Sequence, residues 1–383
     1  MFEKTINFIK HQFPDQDFIP LHEPRFVGKE RQYLLDCIDS TFVSSVGKYV
    51  DEFEKQLASY TGARYAVACV NGTAALHMAM LVAGVKQNDI VITQPLSFIA
   101  TCNAIAYIGA CHLFVDVDTD TLGLSPQKLG EYLAANTEKG ADGFSYHKIT
   151  KQKMAACVPM HTFGHPCRVD ELAAVCEKYN IALIEDAAEA IGSFYKSKHT
   201  GTFGLLGAFS FNGNKTITCG GGGAIITNNE TLAKKAKHLT TQAKVPHRWD
   251  FVHDEVGYNY RMPNLNAALM CAQLEQLEAF VANKRQLASE YQHFFEGSAI
   301  GFVSEPSHSK SNYWLCALLL KNEQERNRFL DYSNNKGVMT RPVWRLMNEL
   351  PMFSNALQGN LDNAIDIEKR LVNIPSSVRP AAL

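Results

Sequence analysis

The chain has 383 residues, of which 46% are hydrophobic, and its formal net charge at neutral pH is −2. That size allows a large buried core and exceeds the usual size of one domain, so we expect one larger and one smaller domain. The charge balance argues against nucleic acid or an anionic membrane as a partner. No stretch approaches the roughly 18 apolar residues that a membrane span needs, and residues 1–13 do not resemble a signal peptide. The ten cysteines show no paired spacing, which indicates reduced thiols and a cytoplasmic location.

Short apolar runs alternate with segments of helical spacing over the first half of the chain. The apolar runs predict strands at 63–70, 89–95, 112–118, 155–161 and 181–188. Helices are predicted beside them at 50–62, 74–84, 97–109 and 169–180. Short strands that alternate with helices are typical of a mostly parallel sheet with helices on both faces, so the predicted fold class is α/β.

Three later segments depart from this alternation. The polar, glycine-containing segment 138–153 predicts a surface excursion or a small hairpin. Strands predicted within 205–211, 216–218 and 224–229 are joined by short turns, and they should add an antiparallel part to the sheet. The amphipathic stretch 265–295 predicts a long helix that could span both domains.

We therefore expect a large domain at 1–245, of which residues 1–25 could pack elsewhere. Residues 246–383 should supply the long linking helix and a small C-terminal α+β domain, with a strand at 312–320 and a helix at 323–337. In open α/β sheets, ligands bind beyond the carboxyl ends of the strands. That rule selects three places for a functional site.

The first place is Asn71-Gly72-Thr73, between the strand at 63–70 and the following helix. Small residues allow a phosphate to approach the free N–H groups at the helix start, where the helix dipole also favours an anion. The Thr73 hydroxyl would add a further donor. The alternative is an ordinary turn in which Thr73 caps the helix.

The second place is Glu185-Asp186, at the end of the strand at 181–188. A carboxylate near a buried sheet requires a cation, a metal or a protonated ring nitrogen as its partner. Two alternatives remain open for this pair. Asp186 could cap a helix, or the pair could belong to the magnesium-binding strand of a nucleotide hydrolase.

The third place is Lys215, between the strand at 205–211 and the four glycines 220–223. Desolvation in such surroundings favours the neutral amine, which is the nucleophilic form of lysine. Segment 213–216 nearly matches a phosphate-binding P-loop, but that motif places glycine directly before the lysine and a helix directly after it. Here Asn214 intervenes, and the residues that follow are poor helix formers.

Pyridoxal phosphate would use all three places. It needs a phosphate cup, an acidic partner for its pyridinium nitrogen and a lysine for its aldehyde. Its ring also needs an apolar or aromatic neighbour, and Phe98, which follows another predicted strand, is the candidate for stacking. A plain core position is the alternative for Phe98.

Several separated motifs resemble the sugar aminotransferases of the DegT/DnrJ/EryC1/StrS family, from about residue 19 to the end of the chain. The motifs, in chain order, are NGTAAL, TQPLSFIATCNAI, FVDVD, IEDAAEAIGS, SFNGNK with its glycines, GYNYRMPNLNAAL and KSNYWL. The resemblance implies a fold-type I pyridoxal-phosphate transferase that acts as an aminotransferase. In this fold a large domain carries the mostly parallel sheet, and a smaller α+β domain follows it.

The resemblance also implies roles for individual residues around the cofactor. Lys215 would form the Schiff base, Asp186 would pair with the pyridine nitrogen, and Phe98 would stack on the ring. The phosphate would be held by Gly72, Thr73 and Ser210.

Two further residues carry implications from the same resemblance. Asn259 would reach the phosphate of the neighbouring subunit, which implies a homodimer with shared active sites. Glu189 occupies a position near the cofactor's ring oxygen where many relatives carry glutamine or histidine. A carboxylate at that position is a departure from those relatives.

Within the family, the chain resembles the branch that makes 4-amino sugars on UDP-N-acetylglucosamine. The substrate would be UDP-2-acetamido-4-keto-2,4,6-trideoxyglucose, with glutamate as the amino donor and 2-oxoglutarate as its product. The resulting UDP-4-amino sugar would serve surface glycan or nonulosonic acid synthesis. A GDP-perosamine-type or dTDP-sugar aminotransferase is the alternative. The candidate substrate contacts are Ser45, His161, Tyr313 and Arg341.

Other classes of function fit the sequence less well. His161, His165 and Cys167 lie close together, but two histidines and a cysteine in a proline-containing loop do not predict zinc, and we expect no metal. Relatives that dehydrate or deoxygenate keto sugars replace the lysine with histidine, and Lys215 argues against that reaction. Retention of Lys215 together with Asp186 also argues against a non-enzymatic regulator.

Overall fold

The computed structural model describes residues 1–14 and 16–379. Its helices are α1 (Phe2–Gln12), α2 (Glu30–Asp39), α3 (Lys48–Thr61), α4 (Gly72–Val82), α5 (Ile99–Ile108), α6 (Pro126–Asn136), α7 (Val169–Lys178), α8 (Glu230–Thr240), α9 (Asn264–Leu274), α10 (Leu277–Phe295), α11 (Glu323–Asn335) and α12 (Asp362–Arg370). Its strands are β1 (Tyr65–Cys69), β2 (Ile90–Thr93), β3 (Cys111–Phe114), β4 (Thr137–Lys139), β5 (Ser145–His147), β6 (Met154–Val158), β7 (Ala182–Asp186), β8 (Phe194–Tyr195), β9 (Lys198–His199), β10 (Leu206–Ser210), β11 (Gly223–Thr227), β12 (Gly301–Phe302), β13 (Ser309–Lys310), β14 (Cys316–Leu319), β15 (Arg341–Pro342), β16 (Leu357–Gln358) and β17 (Leu371–Ile374).

An eight-stranded sheet in the order β1-β11-β10-β7-β6-β2-β3-β16 forms the centre of the molecule. The pairs from β10 through β16 are parallel, whereas β11 pairs antiparallel with both β1 and β10. The predicted mostly parallel α/β sheet with an antiparallel element is therefore confirmed. The predicted strand at 216–218 is wrong: Cys219 N–H donates to Phe211 O instead (3.2 Å), which turns the segment back on its own chain.

Alternate residues of the central strands pack on opposite faces of the sheet. In β11, Ala224 and Ile226 join the layer formed by α3 and α9, whereas Ile225 joins the layer formed by α4 and α8. In β2, Val91 and Ile92 divide in the same way between two hydrophobic clusters. This alternation is the period-two geometry of a strand with both faces buried.

The segment predicted as an excursion forms a hairpin, because β4 pairs antiparallel with β5. A second antiparallel sheet, in the order β12-β14-β17-β15, forms in the C-terminal part of the chain. The N-terminal helix α1 packs there rather than on the central sheet, with Ile6 and Ile9 in the same cluster as Phe329.

The helix predicted over 265–295 is interrupted and forms α9 and α10. The break lies at Glu275 and Gln276, where Gln276 N–H bonds to Gln273 O (3.1 Å) and tightens the turn. Glu275 also accepts a hydrogen bond from Tyr33 Oη (2.6 Å), which favours the new direction. Helix α10 then joins both cores, with Leu277 in the cluster beside the central sheet and Tyr291 in the cluster beside the C-terminal sheet. No helix within residues 1–14 or 16–379 combines the length and the apolar character that a membrane crossing requires.

Candidate active site

A cavity of about 320 Å³ lies where five strands of the central sheet end. Most of its walls come from residues that end or follow β1, β2, β6, β7 and β10, at the carboxyl ends of these strands, and Trp314 and Trp344 complete the lining. The cavity therefore has the position that ligands take in open α/β sheets. Six of the seven predicted cofactor residues line it within one chain together with the predicted lysine, namely Gly72, Thr73, Phe98, Asp186, Glu189 and Ser210.

One end of the cavity is formed by small residues at the start of α4. Asn71 caps this helix, because its Oδ1 accepts a hydrogen bond from Ala74 N (2.8 Å). Thr73 is therefore not the cap, and its hydroxyl stays available to a ligand. A Cβ atom on Gly72 would lie 2.6 Å from Ser210 Cβ, so this close approach requires glycine. The free N–H groups of the first helical turn make this end suitable for a phosphate.

Lys215 also lines the cavity and lies in the turn that follows β10. Its Nζ is 3.3 Å from Glu189 Oε1 and 3.9 Å from the centre of the Trp314 ring. The indole Nε1 of Trp314 donates to Asn214 O (2.6 Å), which fixes the lysine turn to the C-terminal part of the chain. The amine is thus held between a carboxylate and an aromatic face, largely shielded from water.

Asp186 ends β7 and is only 2% exposed. Its Oδ2 accepts a hydrogen bond from Thr101 Oγ1 (2.6 Å), and its Oδ1 accepts one from Ala188 N (3.1 Å). Burial raises the pKa of this carboxyl above its ordinary value, and the two hydrogen bonds only partly oppose that effect. A protonated ring nitrogen would supply the positive charge that such a carboxylate lacks.

Glu189 lies one turn beyond Asp186 and is also buried. Its Oε2 accepts a hydrogen bond from Phe163 N (2.8 Å), while its Oε1 faces Lys215. Burial raises the pKa of Glu189 to about 7, although the charge of Lys215 opposes the rise.

Glu185 points away from the cavity, because neighbouring residues of a strand face opposite sides. It accepts a hydrogen bond from His161 Nε2 (3.0 Å) and others from backbone N–H groups, including Gly201 N (2.7 Å). Burial alone would raise the pKa of Glu185, but these hydrogen bonds lower it overall. The prediction that His161 contacts substrate is wrong, because its ring is fully buried and both nitrogens bond within the protein, Nδ1 with Cys167 N (3.2 Å).

The other predicted substrate residues, Tyr313, Arg341 and Ser45, lie in different places relative to the cavity. Tyr313 does not reach the cavity, because its hydroxyl accepts a hydrogen bond from Glu305 N (2.9 Å) in the interior. Its neighbour Trp314 lines the cavity instead, and sequence reasoning missed it because a tryptophan in an apolar run looks like ordinary core. Arg341, on β15, lines a second cavity of about 650 Å³. Ser45 lines neither cavity of its own chain.

The two cavities adjoin each other. Both are lined by Asn214, Trp314 and Trp344. Trp344 packs against Phe98, with ring centres 6.2 Å apart, and against Phe163 at 5.3 Å. Phe98 is half exposed, so it belongs to the wall of the site rather than to the core.

Asn259 lines neither cavity of its own chain and is exposed. Its Oδ1 accepts a hydrogen bond from Arg261 Nε (3.0 Å). The backbone on either side is attached to the end of α8, where Tyr258 N donates to Leu239 O (2.7 Å). The segment therefore presents the Asn259 side chain outwards from its own domain.

Among the three residues considered for zinc, the structure brings two together. His161 Nδ1 lies 3.5 Å from Cys167 Sγ, whereas both ring nitrogens of His165 lack a hydrogen-bond partner among the described residues. A different group, His238, Asp254 and Glu255, could bring three ligand atoms within 4.8 Å of one another. It is largely exposed, and its members already pair with neighbouring side chains.

The residues present fit pyridoxal phosphate at each of its three polar points. The glycine cradle suits a phosphate, the buried Asp186 accepts hydrogen bonds from the neutral donors Thr101 and Ala188, and Lys215 presents an amine to the same cavity. This combination on a mostly parallel sheet defines a pyridoxal-phosphate-dependent enzyme of fold type I.

The family follows from comparison with known proteins. The family model described as the DegT/DnrJ/EryC1/StrS aminotransferase family matches residues 25–381, and the chain belongs to this family. The chain is 38% identical over 360 residues to a GDP-perosamine synthase of Escherichia coli O157:H7, with 94% of this chain and 93% of that protein covered. It is 34% identical over 363 residues to the putative pyridoxal phosphate-dependent aminotransferase EpsN of Bacillus subtilis, with 94% and 90% covered.

Solved structures show the same fold. A DegT DnrJ EryC1 StrS aminotransferase from Brucella abortus matches with a TM-score of 0.82 at 24% identity, over 91% of this chain and 90% of that one. PseC of Helicobacter pylori, an aminotransferase involved in the biosynthesis of pseudoaminic acid, matches with a TM-score of 0.84 at 21% identity, over 94% of this chain and 93% of that one.

Proposed function

We propose that this sugar aminotransferase transfers an amino group from glutamate to the keto carbon of a nucleotide-linked 4-keto-6-deoxy sugar, and that the nucleotide is GDP. The observation that carries the proposal is the junction of two cavities. One holds Lys215 and the cofactor residues, and the larger one offers Arg341 beyond a shared wall. A sugar at Lys215 would extend its nucleotide into the larger cavity.

Relatives and motifs favour different nucleotides. Proteins named GDP-perosamine synthase, from Escherichia coli O157:H7, Vibrio cholerae and Caulobacter vibrioides, are 38%, 35% and 33% identical to this chain over 94% of its length. Short motifs instead resemble the branch that aminates UDP-2-acetamido-4-keto-2,4,6-trideoxyglucose. Likeness over nearly the whole chain outweighs short motifs, so GDP is the first choice and the UDP-linked sugar is the second.

Each residue of the smaller cavity would have its own role in cofactor binding or in proton transfer. The cofactor, when bound, supplies an electron sink for the substrate carbon. Lys215 would anchor the cofactor and, once its amine is free, would carry a proton to and from the substrate carbon. Asp186 would keep the ring nitrogen protonated, and Phe98 would lie against the ring. The phosphate would be held by Gly72, Thr73 and Ser210.

The larger cavity suits an anionic nucleotide with a flat base. Arg341 is exposed, has no carboxylate partner within 4.0 Å among the described residues, and donates one hydrogen bond, to Thr340 O (3.3 Å). An arginine in that state can bind a diphosphate through two parallel hydrogen bonds. Trp344 lies at the shared wall and offers a surface on which a sugar or base can stack.

A homodimer with shared sites belongs to the same proposal. Apolar side chains are exposed on α2 and in the loop before α3, at Leu35, Ile38, Phe42, Val43 and Val46. A cluster of this kind is typical of a protein–protein interface. The predicted contact Ser45 lies in the same loop, so a partner subunit seated there would contact the segment that carries Ser45.

A substrate panel tests the proposal directly. Purified holoenzyme with glutamate would be offered GDP-, UDP- and dTDP-linked 4-keto-6-deoxy sugars, with 2-oxoglutarate formation and mass spectrometry of the sugar as readouts. We expect the highest kcat/KM for the GDP-linked sugar and no turnover by Lys215→Ala. A preference for the UDP-linked acetamido sugar would select the second choice. The proposal would be overturned if the enzyme still converted glutamate but aminated none of these sugars.

A further inference from the structure

Glu189 contacts the reactive amine, and none of the roles described so far requires an acid there. Its Oε1 lies 3.3 Å from Lys215 Nζ, and its side chain is 1% exposed. Among the described residues, no other carboxylate lies within 4.0 Å of this amine. On another side of the amine is the Trp314 ring, which can stabilise a cation but cannot accept its proton.

Long-range contacts fix the orientation of this acid. The Oε2 atom accepts a hydrogen bond from Phe163 N (2.8 Å), and the main-chain carbonyl of Glu189 accepts one from Asn312 Nδ2 (2.9 Å). Phe163 donates from a left-handed conformation, with φ at 58°, which is uncommon for a bulky residue. Such outliers concentrate at functional sites, where the surrounding structure holds them in place.

The charges around Glu189 act in opposite directions. Burial and the nearby Asp186 favour the protonated acid, while Lys215 and the Phe163 N–H favour the carboxylate. The result is the pKa of about 7 described above, so the acid can gain or lose a proton near neutral pH. Glu185, four residues earlier, has the opposite tendency because His161 and backbone N–H groups stabilise its charge.

We propose that Glu189 positions the Lys215 amine and accepts the proton of its ammonium form, returning that proton later in the cycle. In this step one N–H bond of the ammonium breaks and an O–H bond forms on Glu189 Oε1. The ion pair thus becomes a neutral amine beside a neutral acid, and no other reactant is needed. A lysine must be a neutral amine before it can remove a proton from carbon. The inference rests on the proposed role of Lys215 but not on the identity of the sugar.

The test uses Glu189→Gln, which keeps the shape and the acceptor for Phe163 N–H but cannot take up a proton. In the apoenzyme, acylation of Lys215 by acetic anhydride would be followed across pH by peptide mass spectrometry. A carboxylate beside an ammonium stabilises its protonated form, so its removal should move the labelling midpoint to lower pH by about one unit or more. In the holoenzyme, the pH midpoint of the visible absorption band should move in the same direction.

Two further variants separate proton control from loss of structure. Glu185→Gln removes a buried acid from the same strand region and should lower Tm while leaving the Lys215 midpoint in place. Glu189→Asp keeps an acid farther from the amine and should give a smaller shift than Glu189→Gln. An unchanged midpoint in a folded Glu189→Gln protein, or an equal shift in Glu185→Gln, would overturn the inference. Because labelling uses no sugar, failure of the substrate panel would leave this result standing.

Discussion

Three acids within five positions of the chain have three different environments. Glu185 is buried behind the sheet and satisfied by His161 and backbone N–H groups, so its charge is stabilised. Asp186 faces the cavity with only neutral donors. Glu189 faces the cavity beside the amine of Lys215. At the scale of single residues, function at this site follows from which donors and charges surround each carboxyl group.

Asp186→Asn tests the proposed contact with the ring nitrogen. The amide is neutral, so it cannot stabilise a protonated pyridine, and the cofactor loses its capacity to accept electrons. We expect kcat to fall by at least about 10²-fold, the scale of lost electrostatic preorganisation. Steady-state kinetics at saturating cofactor is the measurement. Recovery of the full rate at high cofactor concentration would mean that Asp186 serves affinity alone.

Gly72→Ala tests the phosphate cradle. The added Cβ would lie 2.6 Å from Ser210 Cβ, so the start of α4 must move away from β10. We expect the Kd for pyridoxal phosphate to rise roughly 10-fold, equivalent to about 1.4 kcal/mol, as measured by fluorescence titration of the apoenzyme. Gly130→Ala on α6 is the matched control, because its Cβ would meet nothing within 4 Å. Equal affinity in both variants would argue against the cradle.

At the scale of elements, α10 joins the two cores and carries a buried lysine. Lys284 Nζ donates to Trp314 O (3.2 Å) and to Ser376 O, and the residue is only 1% exposed. No carboxylate within the described residues lies within 4.0 Å of this amine. Burial lowers the pKa of Lys284 to about 7. One of these carbonyls belongs to Trp314, whose ring contacts the Lys215 amine. Helix α10 is therefore connected to the active site through Trp314.

Lys284→Met should change how stability depends on pH. Between about pH 7 and 10, the unfolded chain holds a proton that the folded chain lacks, so the free energy of unfolding of the natural protein rises with pH. Between about pH 7 and 10, we expect the free energy of unfolding of the natural protein to rise by about 3 kcal/mol more than that of Lys284→Met. Urea unfolding of the apoenzymes at several pH values provides the measurement. Lys55→Met changes an exposed position on α3 and should show the same pH dependence as the natural protein. The prediction would be contradicted if the free energy of unfolding of Lys284→Met changed with pH in parallel with that of the natural protein.

At the scale of the whole molecule, one chain supplies every predicted cofactor residue except Asn259. That residue is exposed and directed away from the cavity of its own chain. The apolar cluster at α2 and the following loop is exposed as well. A C2 dimer would explain both features, because it would bury the cluster and place two equivalent sites across one interface.

Complementation between two inactive variants tests the shared site. Lys215→Ala removes the amine, and Asn259→Asp brings a negative charge towards the proposed phosphate. After random subunit exchange, half of the dimers contain one chain of each kind, and each of these has one intact site if Asn259 serves the partner. We expect activity to recover to about a quarter of the natural value by this counting. If mass spectrometry confirms the exchange and activity stays at the mean of the two parents, Asn259 serves its own chain.

The sequence by itself determined seven of the eight strands of the central sheet and the position of the cavity, whereas the edge strand β16 was not predicted. Strand patterns and the turns after them are local, and parallel strands bring their carboxyl ends to one edge whatever the details of packing. Gly72, Asp186 and Lys215 could therefore be assembled into one site before the structure was known. The same reasoning offered Phe98 as the stacking residue, and the resemblance to a family added roles for Ser210 and Glu189; all three line the same cavity.

Only the tertiary structure decided which polar groups are already satisfied inside the protein. His161 and Tyr313 look like candidate contacts in the sequence, but their partners Glu185 and Glu305 bind them within the interior. The contact of Glu189 with Lys215 joins residues 26 positions apart and exists because β7 and β10 are neighbours. Local patterns cannot encode such pairings, because they depend on which distant elements pack together and on the burial that results.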